Sequence, residues 1–211
     1  MLIEEIRKYK VILASRSIRR QQLLKELGIE FEIILKEFDE SFPDGLTGRE
    51  IAGFVAGNKA KAFSRDIKDN EIIITADTIV WCGGKVLGKP VNAEDAMLML
   101  REISGMTHEV ITGVCLLTSE KSVIFTESTK VTFEEMSGNE IHYYVEKYAP
   151  FDKAGAYGIQ EWVGLAACSH IEGSYFNVVG LPVHRLYKEL GKLIEGGRRQ
   201  ATGDRFSDPL P

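Results

Sequence analysis

Eight consecutive residues, Leu13-Ala14-Ser15-Arg16-Ser17-Ile18-Arg19-Arg20, set three guanidinium groups in and beside a small polar loop. Residues 11–14 read as a short buried strand. Residues 21–27 read as an amphipathic helix with Leu23, Leu24 and Leu27 on one face and Gly28 as its stop. The loop therefore leads into a helix N-terminus, whose free N–H groups and partial positive charge attract anions. Arginine forks match phosphate oxygens, so a phosphate-bearing ligand is the first expectation. A solvated helix start explains the same arginines equally well, because charged side chains are usually exposed.

Asp77 is the sharpest single residue. It follows directly on residues 71–75, an isoleucine-rich run typical of a buried central strand. Ligands gather at the carboxyl ends of strands in open α/β sheets, where a carboxylate can hold a divalent metal or take a proton from water. Asp39 and Glu40 lie in an acidic loop over residues 37–48, where such groups are usually just solvated. Lys59 falls near the apolar side of a helix over residues 49–63, so its charge is expected to point into a cleft. Lys89 stands between Gly88, which permits close approach, and Pro90, which stiffens the exit. Gln160 ends a dense run of small and polar residues, 152–160. Its amide offers a donor and an acceptor that match the imide edge of uracil or thymine, or equally a neighbouring loop. Cations with carboxylates, and no Ser-His-Asp or Cys-His grouping at recognisable spacing, suit metal-assisted phosphate chemistry better than acyl transfer.

The elements that must hold these residues alternate in the first half and turn hairpin-rich in the middle. Residues 31–35 read as a second strand, and Gly83-Gly84 marks a hairpin between 79–82 and 85–87. Asn92 caps a helix over 93–103, and long β segments follow over 109–117 and 123–133. Ser137 and Glu140 form a capping-box pattern opening a helix to about 147. A strand over 166–171 and a helix over 183–195 complete the order. The expected architecture is α/β: a mixed twisted sheet with flanking helices, in two lobes around a central cleft. One domain would cover residues 1–195, and 196–211, without apolar periodicity, would be a flexible tail.

Composition narrows the partners. The chain has 211 residues, 44% hydrophobic and 27% charged, with a formal net charge of −5. That balance disfavours a broad nucleic-acid surface but leaves room for a local basic pocket. No apolar run approaches the roughly 20 residues needed to cross a bilayer, and the N-terminus shows no signal-peptide pattern. Cys82, Cys115 and Cys168 are scattered, which argues against disulfides or zinc and for a reducing cytoplasm. His108, His142, His170 and His184 have no metal-ligand spacing and read as structural.

Taken together, the motifs resemble the Maf family of nucleoside triphosphate pyrophosphatases. The matching segments are Leu13-Ala14-Ser15 with Ser17, Arg19-Arg20 and Leu23-Leu24, then Lys59-Ala60, Ala76-Asp77-Thr78 and Gly88-Lys89-Pro90. Ser104-Gly105 with Thr107-His108, the run 152–160, and Val179-Gly180-Leu181-Pro182 continue the series. The resemblance implies a cleft between two lobes, a homodimer, and hydrolysis of a nucleoside triphosphate to the monophosphate and pyrophosphate with a divalent cation, Mg²⁺ or Mn²⁺. It implies Asp77 as general base, and Ser15, Arg20, Glu40, Lys59 and Lys89 among the phosphate-binding and catalytic groups; the cation itself is expected to bridge the triphosphate and a carboxylate, Asp77 or Glu40. Arg19, Thr78 and Gln160 resemble the branch acting on dTTP and UTP rather than the one acting on 7-methyl-GTP.

The chain departs from the family pattern at Ile18, where proline is usual, and at Arg16, Met106 and Glu161-Trp162, the last expected to narrow the base pocket. Two other readings fit the same residues: a 7-methyl-GTP or other modified-nucleotide pyrophosphatase, and a non-catalytic nucleotide-binding regulator of cell division. Asp77, Lys59 and Lys89 speak against the regulator, since a pure binder needs no base.

Overall fold

The computed structural model describes residues 1–201, with side chains through Gly196; the rest of the expected tail, 202–211, lies outside the described residues. Seven strands form one mixed sheet: β1 (Lys10–Leu13), β2 (Glu32–Ile33), β3 (Glu71–Cys82), β4 (Lys85–Leu87), β5 (Thr107–Leu117), β6 (Ser122–Phe133) and β7 (Cys168–Glu172). Their spatial order is β2-β1-β3-β5-β6-β7, with β4 hairpinned onto β3. β1 runs parallel to β2 and β3, and the other pairings are antiparallel. The helices are α1 (Leu2–Ile6), α2 (Ile18–Glu26), α3 (Gly48–Lys61), α4 (Ala93–Ile103), α5 (Gly138–Tyr148), α6 (Trp162–Ala166), α7 (Tyr175–Val179) and α8 (Val183–Ala201). Among the described residues no helix is long and apolar enough to cross a membrane.

The expected caps are present. The Asn92 side chain accepts from the Asp95 N–H, and Ser137 with Glu140 closes a capping box on α5. Four expectations change. β2 shrinks to two residues. α2 begins three residues early, because Ser17 caps it by accepting from the Arg20 N–H. α8 continues past residue 195 to Ala201: once nucleated, a helix gains a bond per residue, and Gly196 and Gly197 each cost only about 1 kcal/mol.

The fourth change bears on the site. β3 does not end at residue 75 but runs on through Asp77, because β5 pairs with it from Ile73↔Leu117 to Trp81↔Glu109. β1 is the strand that ends, at Leu13 opposite Ile74. Asp77 is thus a mid-strand residue lying beyond the carboxyl end of β1, not beyond that of its own strand.

Strand alternation divides β3 between two cores. Ile72, Ile74 and Ala76 pack with Leu24 of α2, Leu100 of α4, Tyr144 of α5 and Leu186 of α8. Ile73 and Ile79 face α3 on the other side. Thr75, on that same side, donates its hydroxyl to Ala56 O at 2.6 Å. Asp77 shares this face. Its cross-strand partner is Gly113, where a Cβ would stand 2.1 Å from the Ala52 carbonyl oxygen of α3. Helix and sheet backbones touch there, so only glycine fits. Gly113→Ala is expected to destabilise the protein by about 3 kcal/mol, the upper range for overpacking, as read by urea unfolding.

His108 confirms a structural role for at least one histidine. It is buried, its Nε2 lies 2.8 Å from Tyr157 Oη, and its ring meets Phe133 edge-on. Burial pulls its pKa down from 6.5 to about 4. The unfolded chain therefore binds the proton more readily, and this contribution to stability is complete above pH 6.5 and lost as pH falls toward 4. At pH 5 the loss amounts to about 2 kcal/mol. Urea unfolding at pH 7.5 and pH 5 is expected to show that loss, and His108→Gln to reduce it.

Candidate active site

Beyond the end of β1 opens a cleft of about 720 Å³. Its walls are the start of α2, the loop of residues 35–40, the end of α3, the middle of β3, Lys89, the segment 152–160 and the turn at 178–180. Every site residue expected from the sequence lines it: Ser15, Arg19, Arg20, Glu40, Lys59, Asp77, Thr78, Lys89 and Gln160.

At its centre Lys59, in the last turn of α3, places Nζ 2.6 Å from Asp77 Oδ1. The lysine side chain is 12% exposed and the aspartate 21%. Burial pulls the Lys59 pKa down, and Asp77 opposes the shift. Phe38 lies against the ammonium, its ring centre 5.0 Å away. Glu40 reaches the same ammonium more loosely, at 3.9 Å, from an exposed position. Among the described residues Asp77 Oδ2 is left without a protein hydrogen bond. Asp39, the other acidic candidate, instead closes a local turn by accepting from the Ser41 N–H and hydroxyl.

Arg20 is tied to three separate segments. Its Nε donates to Gly180 O at 2.8 Å, Nη1 to Ala76 O at 2.8 Å and to Ser15 Oγ at 3.4 Å, and Nη2 to Thr78 Oγ1 at 2.9 Å. Four of its five N–H donors thus serve the scaffold, and every acceptor is neutral. Burial lowers its pKa, opposed by the nearby Asp77 charge. Thr78 Oγ1 also meets Thr112 Oγ1 at 2.9 Å, and Ser15 Oγ also accepts from the Ser17 N–H at 3.2 Å. These two hydroxyls belong to the frame that holds Arg20.

Arg19 donates to Asp152 Oδ2 at 3.0 Å and so spans from α2 to the segment 152–160. Burial pushes the Asp152 carboxyl up, but the hydrogen bonds from Lys153 and Arg19 hold it below the usual range. Arg16 and Lys89 are exposed to the cleft and, among the described residues, have no carboxylate partner. Gln160 is likewise exposed, and among the described residues its amide bonds to no protein group and so serves no neighbouring loop. Glu161 and Trp162 do not narrow the cleft as expected. Glu161 turns to Tyr144 and Lys153, and Trp162 packs edge-on against Tyr143 at 5.0 Å.

Sequence reasoning missed Phe38, Thr112 and Lys153. An aromatic in an acidic loop is a usable signal for the first. Thr112 becomes Thr78's neighbour only through the β3–β5 register. Lys153 carries no signal of its own within the run 152–160, and only the fold shows it buried, at 8% exposed.

A parallel βαβ start, a helix N-terminus and a cation-lined cleft at the end of β1 define an α/β protein built to hold phosphates. The chain belongs to the Maf-like protein family, which matches it over residues 10–193. Among curated relatives, a Flavobacterium johnsoniae protein named dTTP/UTP pyrophosphatase is 52% identical over 194 residues, covering 92% of this chain and 100% of its own. Proteins of the same name from Phocaeicola vulgatus and Bacteroides fragilis are 53% and 50% identical, each covering 91% of this chain and 100% of their own. Among solved structures, a nucleoside-triphosphatase / dITP/XTP pyrophosphatase from Mycobacterium abscessus aligns over 90% of this chain and 97% of its own, with TM-score 0.40 and 13% identity.

Proposed function

We propose that this protein is a nucleoside triphosphate pyrophosphatase that hydrolyses dTTP and UTP to the monophosphate and pyrophosphate. The observation that carries this reading is electrostatic. Seven Lys or Arg side chains line the cleft against four carboxylates, in a chain whose net charge is −5. A site of excess positive charge inside an acidic protein concentrates polyanions such as triphosphates. The curated relatives named dTTP/UTP pyrophosphatase support the choice of substrate.

The chain's own residues divide the work. Lys59 holds Asp77 Oδ1, leaving Oδ2 to take the proton of a water that attacks the α-phosphorus. Arg16, Lys89 and the fixed charge of Arg20 oppose the negative charge that builds on the departing pyrophosphate. Gln160 presents its free amide to the base, where an acceptor and a donor side by side complement the imide of uracil or thymine.

Asp77 and Glu40 would hold a divalent cation, Mg²⁺ or Mn²⁺. They are the two carboxylates that approach one positive group, the Lys59 ammonium. Among the described residues no cluster of three His, Cys, Asp or Glu offers an all-protein cage. That donor set fits a hard cation of the kind held by one or two carboxylates together with substrate phosphates. When bound, the cation supplies charge neutralisation at the phosphates. A homodimer and a reducing cytoplasm complete the proposal, the second supported by three free cysteines.

The test is pyrophosphate release across a nucleotide panel with Mg²⁺ and Mn²⁺. UTP and dTTP are expected to be the best substrates, with turnover abolished by a chelator. Asp77→Asn is expected to lower kcat by about 100-fold or more, the usual weight of a general base, in a variant that still folds by circular dichroism but has a lowered urea midpoint, because the Lys59 ammonium loses its counter-charge. Preference for 7-methyl-GTP, or near-normal turnover by the variant, would contradict the assignment.

A further inference from the structure

Residues 158–161 make a tight turn, closed by the Glu161 N–H donating to Gly158 O at 2.9 Å. The turn is tied down from below. The Gly158 N–H donates to Tyr144 Oη of α5 at 3.0 Å, and that hydroxyl donates to Glu161 Oε2. The other carboxylate oxygen, Oε1, lies 3.1 Å from Lys153 Nζ. Lys153 also donates to Asp152 Oδ1 at 2.7 Å, and Asp152 accepts from Arg19. A continuous run of hydrogen bonds and ion pairs thus links a backbone N–H of the turn to the wall of the cleft.

The inner part of the run, from Tyr144 to Lys153, is largely shielded from water, whereas Asp152 at its outer end is exposed. Tyr144 is 0% exposed and Lys153 8%, so the bonds of this inner part act in a low-dielectric setting, where they are stronger and where an unpaired member is costly. It is also tightly packed. A Cβ on Gly158 would stand 2.9 Å from Glu161 Cδ and 3.1 Å from Lys153 Cε. The polar side chain of the turn left untied is Gln160, which opens on the cleft.

We infer that Tyr144, Glu161 and Lys153 are positioning residues that clamp the turn at 158–161 and so fix where the Gln160 amide meets the pyrimidine base. This rests on the pyrimidine triphosphate reading above. A free glutamine has several rotatable bonds, and its two hydrogen bonds to an imide are worth most when its backbone is already in place. Tyr144 lies beneath the turn rather than in the cleft, so it acts only through Gln160. Glu161, which stands at a departure from the family pattern, is the hub of the clamp: its carboxylate accepts from a buried phenol and is ion-paired with a buried ammonium at once.

The test is a double-mutant cycle on kcat/KM for UTP with metal present. Tyr144→Phe removes both the acceptor for the Gly158 N–H and the donor to Glu161. It is expected to raise KM for UTP about tenfold, within the ~100-fold that a misplacement of about 1 Å can cost, with kcat within about twofold of the unaltered protein. Gln160→Ala is expected to weaken UTP use alone but to add little in the Tyr144→Phe background, because the amide is already out of place. Glu161→Gln, which keeps the shape and an acceptor but removes the charge, is expected to give a smaller rise in KM and supplies the second background if Tyr144→Phe does not fold.

Full multiplication of the two single effects, or an unchanged KM in both clamp variants, would overturn the clamp while leaving the base reading intact. A Gln160→Ala enzyme with unaltered kcat/KM for UTP would overturn both.

Discussion

The backbone of α3 rests on the backbone of β5 at Gly113, and the charged centre follows from that contact. Gly113 is the strand partner of Asp77, and Ala52 of α3 sits directly over it. Seven residues further along the helix, about two turns or roughly 10 Å, comes Lys59. Thr75 adds a second fastening by donating to Ala56 O between those two points. With the helix held this close, the lysine reaches the carboxylate at 2.6 Å. Two mostly buried charges tolerate their loss of water only because each has the other; taking one away leaves the other uncompensated. The same close fit therefore governs both stability and the geometry of the carboxylate proposed to act as base.

Around this pair the protein keeps positive charge uncancelled. Arg20 shows how: its bonds go to two backbone carbonyls and two hydroxyls, not to a carboxylate. A neutral frame holds the guanidinium in place without silencing its field, so the charge stays available to an incoming polyanion. Thr78, Ser15 and Thr112 matter as parts of that frame. Arg19, in contrast, is partly neutralised by Asp152 in a bridge at the cleft wall, where partial exposure makes the pair weak and exchangeable.

Local chemistry was legible in the sequence, and long-range register was not. The Asn92 cap, the Ser137–Glu140 box and the Gly83-Gly84 hairpin depend on neighbours within a few residues, and they stand where the pattern placed them. Asp77 was recognisable from its setting, but for a reason that needed correcting: β1 ends there, and β3 does not. Nothing near Gly113 in the chain announces that a helix backbone will press on it, because Ala52 is sixty-one positions away. The role of Glu161 was hidden in the same way. As a sequence departure it suggested a narrowed pocket, and only the approach of Tyr144 from α5 shows why a carboxylate stands there.

The proposed hydrolysis depends most on Lys59 and Asp77 acting as one unit, and a kinetic double-mutant cycle on UTP hydrolysis measures this directly. Lys59→Met and Asp77→Asn are each expected to reduce kcat severely, and the double variant to be little worse than Asp77→Asn alone, as for groups that work together. If the two losses multiplied in full, the lysine and the aspartate would be acting independently, and the pairing fixed by the α3–β5 contact would not be the catalytic centre.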